Sequence, residues 1–177
     1  MYADDKDAPN AAFTADLTFR PAGWTIDAPR DGIVLIGTHL IAEMRNYFGS
    51  LSAPLTALCG HEAGHALQAK HGLVDWHLYA GKPKDDFYPD RYELCADFIC
   101  GYYGAHRRKI DKSYRAAIQA ATQFSKGDHK PIGHGTPAQR GKAVEAGFQF
   151  GNSGVQDSKA AVEAGLQYVL GVDFTSK

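Results

Sequence analysis

The sequence predicts an α+β domain, mostly helical, with a small β-sheet near its N-terminus. Three observations lead there. Short alternating or β-branched runs cluster before residue 37. Beyond that point apolar residues recur at helical spacings of three and four. One later stretch, Thr136-Pro137-Ala138-Gln139, carries a complete helix-start signature: Thr as N-cap, Pro in the first turn and Gln three residues after the cap. With 177 residues, 44% of them apolar, the chain can bury a sizeable core and reads as a single domain over 1–177. Only residues 1–12, polar and small, read as a loose arm.

The elements follow in order. Phe13, Ala15, Leu17 and Phe19 alternate as a half-buried strand does, and Trp24-Thr25-Ile26 is a short second candidate. Pro29-Arg30-Asp31-Gly32 is a turn leading into Ile33-Val34-Leu35-Ile36, a β-branched strand closed by Gly37. Thr38 caps a helix to about Phe48, with Leu40, Ile41, Met44, Tyr47 and Phe48 on its apolar face and Gly49 as its stop. Ser52, with Pro54 just beyond, opens a helix that ends near Gly72. A surface excursion over 72–89 gives way to a helix from about Asp90, which Gly101 and Gly104 bend or end. An amphipathic helix over 107–124, a glycine-rich loop from Lys126 to Gly135, a helix from Thr136 to about Phe150 and a last helix over about 157–169 complete the chain. The last two share Ala143-Val144-Glu145-Ala146-Gly147-Phe148-Gln149-Phe150 and Ala161-Val162-Glu163-Ala164-Gly165-Leu166-Gln167-Tyr168. That likeness points to a shared packing surface rather than a repeat architecture.

Composition removes several function classes. Charged residues are 22%, near the soluble average, and the net charge of −1 gives no reason to expect nucleic acid or an anionic membrane as partner. No apolar run reaches the roughly 18 residues of a membrane span, and the start, Met1-Tyr2-Ala3-Asp4-Asp5-Lys6-Asp7, lacks the basic and apolar regions of a signal peptide. Cys59, Cys95 and Cys100 are odd in number, form no CxxC pair and fall in apolar helical stretches. They read as buried small hydrophobes in a reducing, cytoplasmic compartment.

The chemistry gathers in two helices. His61-Glu62-Ala63-Gly64-His65 puts two imidazoles on one helix face, about 6 Å apart along the axis, within reach of one metal ion. Glu62, beside the first histidine, can take a proton from a water on the open side of that metal. A catalytic zinc needs three protein ligands and an open position, and Glu93 at the start of the next helix can supply the third. Asp97, one turn on, can accept a hydrogen bond from the outer nitrogen of His61 or His65 and fix that ring. Cys95 points elsewhere on the same helix. Without a metal, both motifs also read as ordinary helix faces; their coincidence favours zinc, Zn2+.

The remaining histidines divide. His39 is a packing or surface residue, His71 suits the carbonyl end of its helix, and His77 and His106 lie in no motif. His129 and His134 sit in the glycine-rich loop, and His134, next to a helix start, is the better candidate to donate to a developing oxyanion. Arg140 in the first turn of that helix can bind a carboxylate or brace the scaffold.

These stretches together resemble the neutral zinc metallopeptidases of bacteria. The likeness lies in His61-Glu62-Ala63-Gly64-His65-Ala66-Leu67-Gln68, Glu93-Leu94-Cys95-Ala96-Asp97, His134-Gly135-Thr136-Pro137-Ala138-Gln139-Arg140 and Gly147-Phe148-Gln149-Phe150-Gly151, covering roughly residues 55 to 151. It departs at Ala66, where the family often has another histidine, and in a shorter N-terminal region. The wider resemblance is to the gluzincins. It implies a zincin-like fold, His61, His65 and Glu93 as zinc ligands, Glu62 as general base and Asp97 as the partner that orients a ligand.

The reaction so implied is hydrolysis of peptide bonds in a peptide or protein substrate by a zinc-activated water. Glu62 is the base, His134 the oxyanion donor, and Ile33–Ile36 the strand along which substrate would lie. Two rivals share the residues: a zinc hydrolase of a non-peptide amide, and an inactive zinc-binding regulatory or protein-binding module. An intact Glu62 speaks against the second, since a purely structural zinc needs no base. Oligomeric state is not written in the sequence.

Overall fold

A computed structural model of the chain describes residues 11–14, 32–73, 88–107 and 134–174. It forms the expected mostly helical α+β arrangement, with five helices and one two-stranded sheet among the described residues. Strand β1, Ala11–Thr14, pairs antiparallel with β2, Ile33–Ile36, in the register Ala11 with Ile36 through Thr14 with Ile33. In β2 the side chains alternate as the sequence requires, with Leu35 buried and Val34 exposed. Gly32 precedes β2 at φ +101°, and the Phe13 ring and Thr14 carbonyl occupy the space that a Cβ there would need.

Helix α1, Thr38–Phe48, starts one residue earlier than its expected cap implies. Gly37 takes the N-cap position, and Thr38 makes no capping bond from its side chain because it is already helical. Leu40 and Met44 turn inward, but Tyr47, on the apolar face by periodicity, is 70% exposed. Gly49, at φ +67°, ends the helix by donating its N–H to the Arg45 carbonyl.

Helix α2, Ser52–Lys70, carries the first motif and stops just before Gly72, at φ +76°. Helix α3, Tyr88–Arg107, carries the second. Every residue from Leu94 to Tyr102 on α3 is buried, so this helix has neighbours on all sides. Helices α4, Pro137–Asn152, and α5, Ser158–Leu170, pack against it. The full capping box forms at the head of α4: Thr136 Oγ1 accepts from Gln139 N–H, and Gln139 Oε1 accepts from Thr136 N–H.

Gly101 and Gly104 do not end α3, which runs on to Arg107. Gly101 serves close packing instead. A Cβ there would collide with the Val144 carbonyl of α4, and one on Gly147 would collide with the Phe98 carbonyl of α3. Mutual glycines let these two helices approach backbone to backbone. The paired sequences of α4 and α5 use one surface of α3, because Gly165 in α5 also faces Phe98, together with Cys95. Ala143, Val144, Ala161 and Val162 are all buried, and Leu94, Ile99, Val162, Leu166 and Val169 share one apolar core with Leu73 from the end of α2. Complete burial of each Leu, Ile or Val is worth about 1.5–3 kcal/mol.

Cys95 and Cys100 are buried as the sequence suggests. Cys59 is not: it lies on the exposed side of α2, away from the stripe of Ala57, Gly60, Gly64 and Gln68 that meets the rest of the fold. No described helix is long and apolar enough to cross a membrane. The loose arm expected over 1–12 is too long, since Ala11 and Ala12 are held in β1 by pairing with Ile36 and Leu35. Its residues 1–10, the strand candidate at 24–26, most of the 72–89 excursion, the helix over 107–124 beyond Arg107 and most of the glycine-rich loop lie outside the described residues.

Candidate metal centre

The fold brings His61 and His65 of α2 against Glu93 of α3. One ligand atom from each lies within 4.8 Å of the other two. His61 Nε2 is 3.2 Å from His65 Nε2 and 3.1 Å from Glu93 Oε2, and His65 Nε2 is 3.5 Å from Glu93 Oε1. The approach depends on a residue inside the first motif. A Cβ on Gly64 would sit 2.8 Å from the carbonyl oxygen of Ala96. Gly64 therefore makes room for Ala96, the fully buried alanine between Glu93 and Asp97, rather than for the histidine rings. Ala63, the other small residue of the motif, is exposed.

Each imidazole has a defined partner on its outer nitrogen. His61 Nδ1 is 2.8 Å from Asp97 Oδ1. An ionised carboxylate only accepts, so Nδ1 carries the hydrogen and Nε2 faces Glu93. Of the two histidines that Asp97 can serve on sequence grounds, the geometry selects His61. His65 Nδ1 is 2.8 Å from Gln68 Oε1, while Gln68 Nε2 donates to the Tyr92 carbonyl at 2.9 Å. That carbonyl can only accept, which turns the Gln68 amide oxygen toward His65 and makes His65 Nδ1 the donor. Both Nε2 atoms face Glu93; without a metal His61 Nε2 carries a hydrogen that it donates to Glu93 Oε2, and loss of that hydrogen frees its lone pair for a metal. The Tyr92 ring stacks on His65, with centroids 4.9 Å apart and planes 16° apart.

Arg140 reaches in from α4. Its Nε donates to Asp97 Oδ2 at 2.7 Å and its Nη2 to Asp97 Oδ1 at 2.9 Å. Of the two uses open to Arg140 on sequence grounds, bracing the scaffold is the one observed. Gln68, the last residue of the first resembling stretch, thus orients His65, a role the motif alone does not assign. The available signal is its position three residues after His65, on the same helix face.

Charge follows geometry. Burial disfavours a charged His61, but the carboxylates of Asp97 and Glu93 outweigh it and push its pKa up to about 10. Burial likewise opposes ionisation of Glu93, yet the two histidines hold it far below the usual carboxylate range. Asp97 is lowered in the same sense, with Arg140 and then His61 overcoming burial. In the metal-free protein a proton on His61 therefore sits between two carboxylates, in the place a divalent cation would take.

Glu62 is buried, and burial raises its pKa against the pull of His61 and His65. Its carboxylate accepts from the backbone N–H of Phe13. β1 is thus the strand that bonds to Glu62, with Ile33–Ile36 paired beside it. Glu62 Oε2 is a buried oxygen with no hydrogen-bond partner among the described residues. His134 is 55% exposed, and its Nε2 lies 3.7 Å from Glu93 Oε2, beside the triad but beyond hydrogen-bonding distance. The next residue is anchored, since Gly135 N–H donates to Asp90 Oδ1 at 2.6 Å. His129 lies outside the described residues.

Two imidazoles and a carboxylate with convergent ligand atoms form a metal-binding triad with the spacing of a His-Glu-x-x-His helix and an acidic third member, consistent with a gluzincin-like zinc site. No protein-family model, curated protein or solved structure matches the chain.

Proposed function

We propose that the chain is a zinc-dependent metallopeptidase of the gluzincin kind, similar to the bacterial neutral zinc metallopeptidases, and that it hydrolyses peptide bonds. The observation that carries this reading is the His61, His65 and Glu93 triad beside a buried Glu62 Oε2 that has no hydrogen-bond partner among the described residues. A structural zinc would be satisfied by ligands alone; an orphaned buried acceptor next to the triad suits a group that handles a proton.

In this reading His61 Nε2, His65 Nε2 and a Glu93 oxygen hold zinc. The metal supplies a Lewis acid that polarises a carbonyl and acidifies a water. Glu62 Oε2 accepts the proton of the attacking water and afterwards returns it to the leaving nitrogen. Its raised pKa makes it a stronger base than an exposed carboxylate. The Phe13 N–H fixes the carboxylate so that the proton-accepting oxygen is held in place. His134, 55% exposed and beside the triad, donates to the oxygen of the scissile carbonyl. The three free cysteines suit a reducing, cytoplasmic setting.

The test is a panel of peptide, protein and non-peptide amide substrates presented to zinc-loaded wild type and Glu62→Gln. The expected result is cleavage by wild type, with turnover lowered about 10²–10⁴-fold in the variant and zinc retained by both. Zinc retained with no cleavage of any substrate by wild type would point instead to the inactive zinc-binding module. Cleavage confined to non-peptide amides would point to the other hydrolase.

A further inference from the structure

Asp97 is the least exposed charged side chain of the site, and its two oxygens are shared between two helices. Oδ1 accepts from His61 Nδ1 at 2.8 Å and from Arg140 Nη2 at 2.9 Å; Oδ2 accepts from Arg140 Nε at 2.7 Å. A guanidinium fork on both oxygens is a directional grip, so the carboxylate cannot turn without breaking charge-assisted bonds. The consequence reaches the metal site through one atom. A carboxylate turned away from His61 would leave Nδ1–H without its acceptor. Nothing would then hold the hydrogen on Nδ1 or the ring in the orientation that points Nε2 toward Glu93 and His65.

Arg140 is itself fixed. It lies in the first turn of α4, whose start is held by the Thr136–Gln139 capping box and by the bond from Gly135 to Asp90 of α3. The glycine contacts of Gly101 and Gly147 bring α4 close along α3. A role in gripping a substrate carboxylate is disfavoured by the same geometry. Nε and Nη2 are engaged by Asp97, and the side chain is only 22% exposed.

We propose that Arg140 is a positioning residue for the metal site: from α4 it holds the Asp97 carboxylate as the acceptor for His61 Nδ1–H, and so keeps His61 Nε2 as a ligand atom. This inference rests on reading His61, His65 and Glu93 as metal ligands.

Cobalt(II) is the probe, since its visible spectrum reports ligand geometry while titration gives affinity. Wild type, Arg140→Met, Arg140→Lys, Asp97→Asn and the double variant Asp97→Asn/Arg140→Met form the set. Loss of a partner that orients a metal-bound histidine lowers metal affinity about 10–100-fold. Arg140→Met is expected to fall in that range with an altered cobalt spectrum, and Arg140→Lys to fall between it and wild type. In the Asp97→Asn background, removing Arg140 is expected to change affinity less than about twofold, because the path through Asp97 is already cut. Should Arg140→Met fail to fold, Arg140→Lys and the double variant, which leaves no unpaired buried charge, still decide the matter. Wild-type affinity and spectrum in the folded Arg140 variants overturn the proposal, as do losses from Arg140 and Asp97 that simply multiply. If wild type binds no cobalt, the metal-site reading falls and this inference with it; normal wild-type binding beside unaffected Arg140 variants removes this inference alone.

Discussion

The two imidazoles of the site stand four residues apart on one helix, yet opposite kinds of partner hold them. His61 is backed by charge: a buried aspartate on α3 that is gripped by an arginine on α4. His65 is backed by a neutral amide on its own helix, Gln68, itself tied to the backbone of α3 at Tyr92. Both arrangements place the hydrogen on Nδ1, but they differ in reach and in vulnerability. The charged chain links three helices and collapses if any member loses its charge. The amide chain is local, and its loss leaves only neutral groups unpaired. One ring is thus coupled to the packing of the whole helical layer, and the other chiefly to the α2–α3 contact.

The largest effect is expected from Asp97→Asn. It removes the negative partner of a mostly buried Arg140 and should cost about 3–5 kcal/mol of stability, read by urea unfolding of the metal-free protein. If the loss is no greater than that of Gln68→Met, the contrast between the two rings is wrong.

A pH series separates the two rings without mutation. In the metal-free protein the folded-state pKa of His61 is raised from 6.5 to about 10. The folded state therefore holds a proton that the unfolded chain releases between those values. The stabilisation is complete below pH 6.5 and is lost as pH climbs through about 10, so unfolding free energy should fall over that window by a few kcal/mol. At the acidic end, Asp97 and Glu93 have lowered pKa values, and their contribution is lost as pH falls below the ordinary carboxylate range. Cobalt affinity should move oppositely at the alkaline end, rising with pH as the competing proton leaves. A metal-free stability that is flat from pH 6.5 to 10 would show that His61 is not held between two carboxylates.

Gly147→Ala asks whether the charged chain depends on helix packing. A methyl group there meets the Phe98 carbonyl, so α3 and α4 must part, at a cost of about 1–3 kcal/mol. The separation should also weaken metal binding through Arg140 and Asp97, a coupling that calorimetric metal titration would detect. Gln68→Met should be the mildest of the four, at about 1–2 kcal/mol, from leaving the Tyr92 carbonyl and the His65 N–H without partners. Its effect on metal affinity should not grow when Gly147→Ala is added.

What was legible in the sequence follows the same division. Local patterns were readable: the helix from Ser52 that presents His61 and His65 on one face, the capping box at Thr136, and a second helix that presents Glu93 and Asp97 one turn apart. Spacing fixes a helix face, so a triad could be expected from those residues alone. Facts that depend on which helix lies opposite were not readable. Nothing near Arg140 names Asp97 as its partner, and nothing near Gln68 says that the Tyr92 carbonyl will face it. Nothing in Phe13 marks its amide as a neighbour of Glu62. Glycine is ambiguous for a related reason. In α3, Gly101 looks like a weak point until the opposing Val144 backbone is known. Burial is similarly two-sided: Cys59 and Tyr47 sit in apolar stretches but on exposed faces.

The central claim is that His61, His65 and Glu93 form one metal site. Elemental analysis of the purified chain, after zinc loading and exhaustive dialysis, tests it most directly when paired with Glu93→Ala. The account predicts one zinc per wild-type chain and loss of that zinc in the folded variant. A wild-type chain that retains no stoichiometric metal, or a Glu93→Ala chain that keeps it with unchanged affinity, would contradict it.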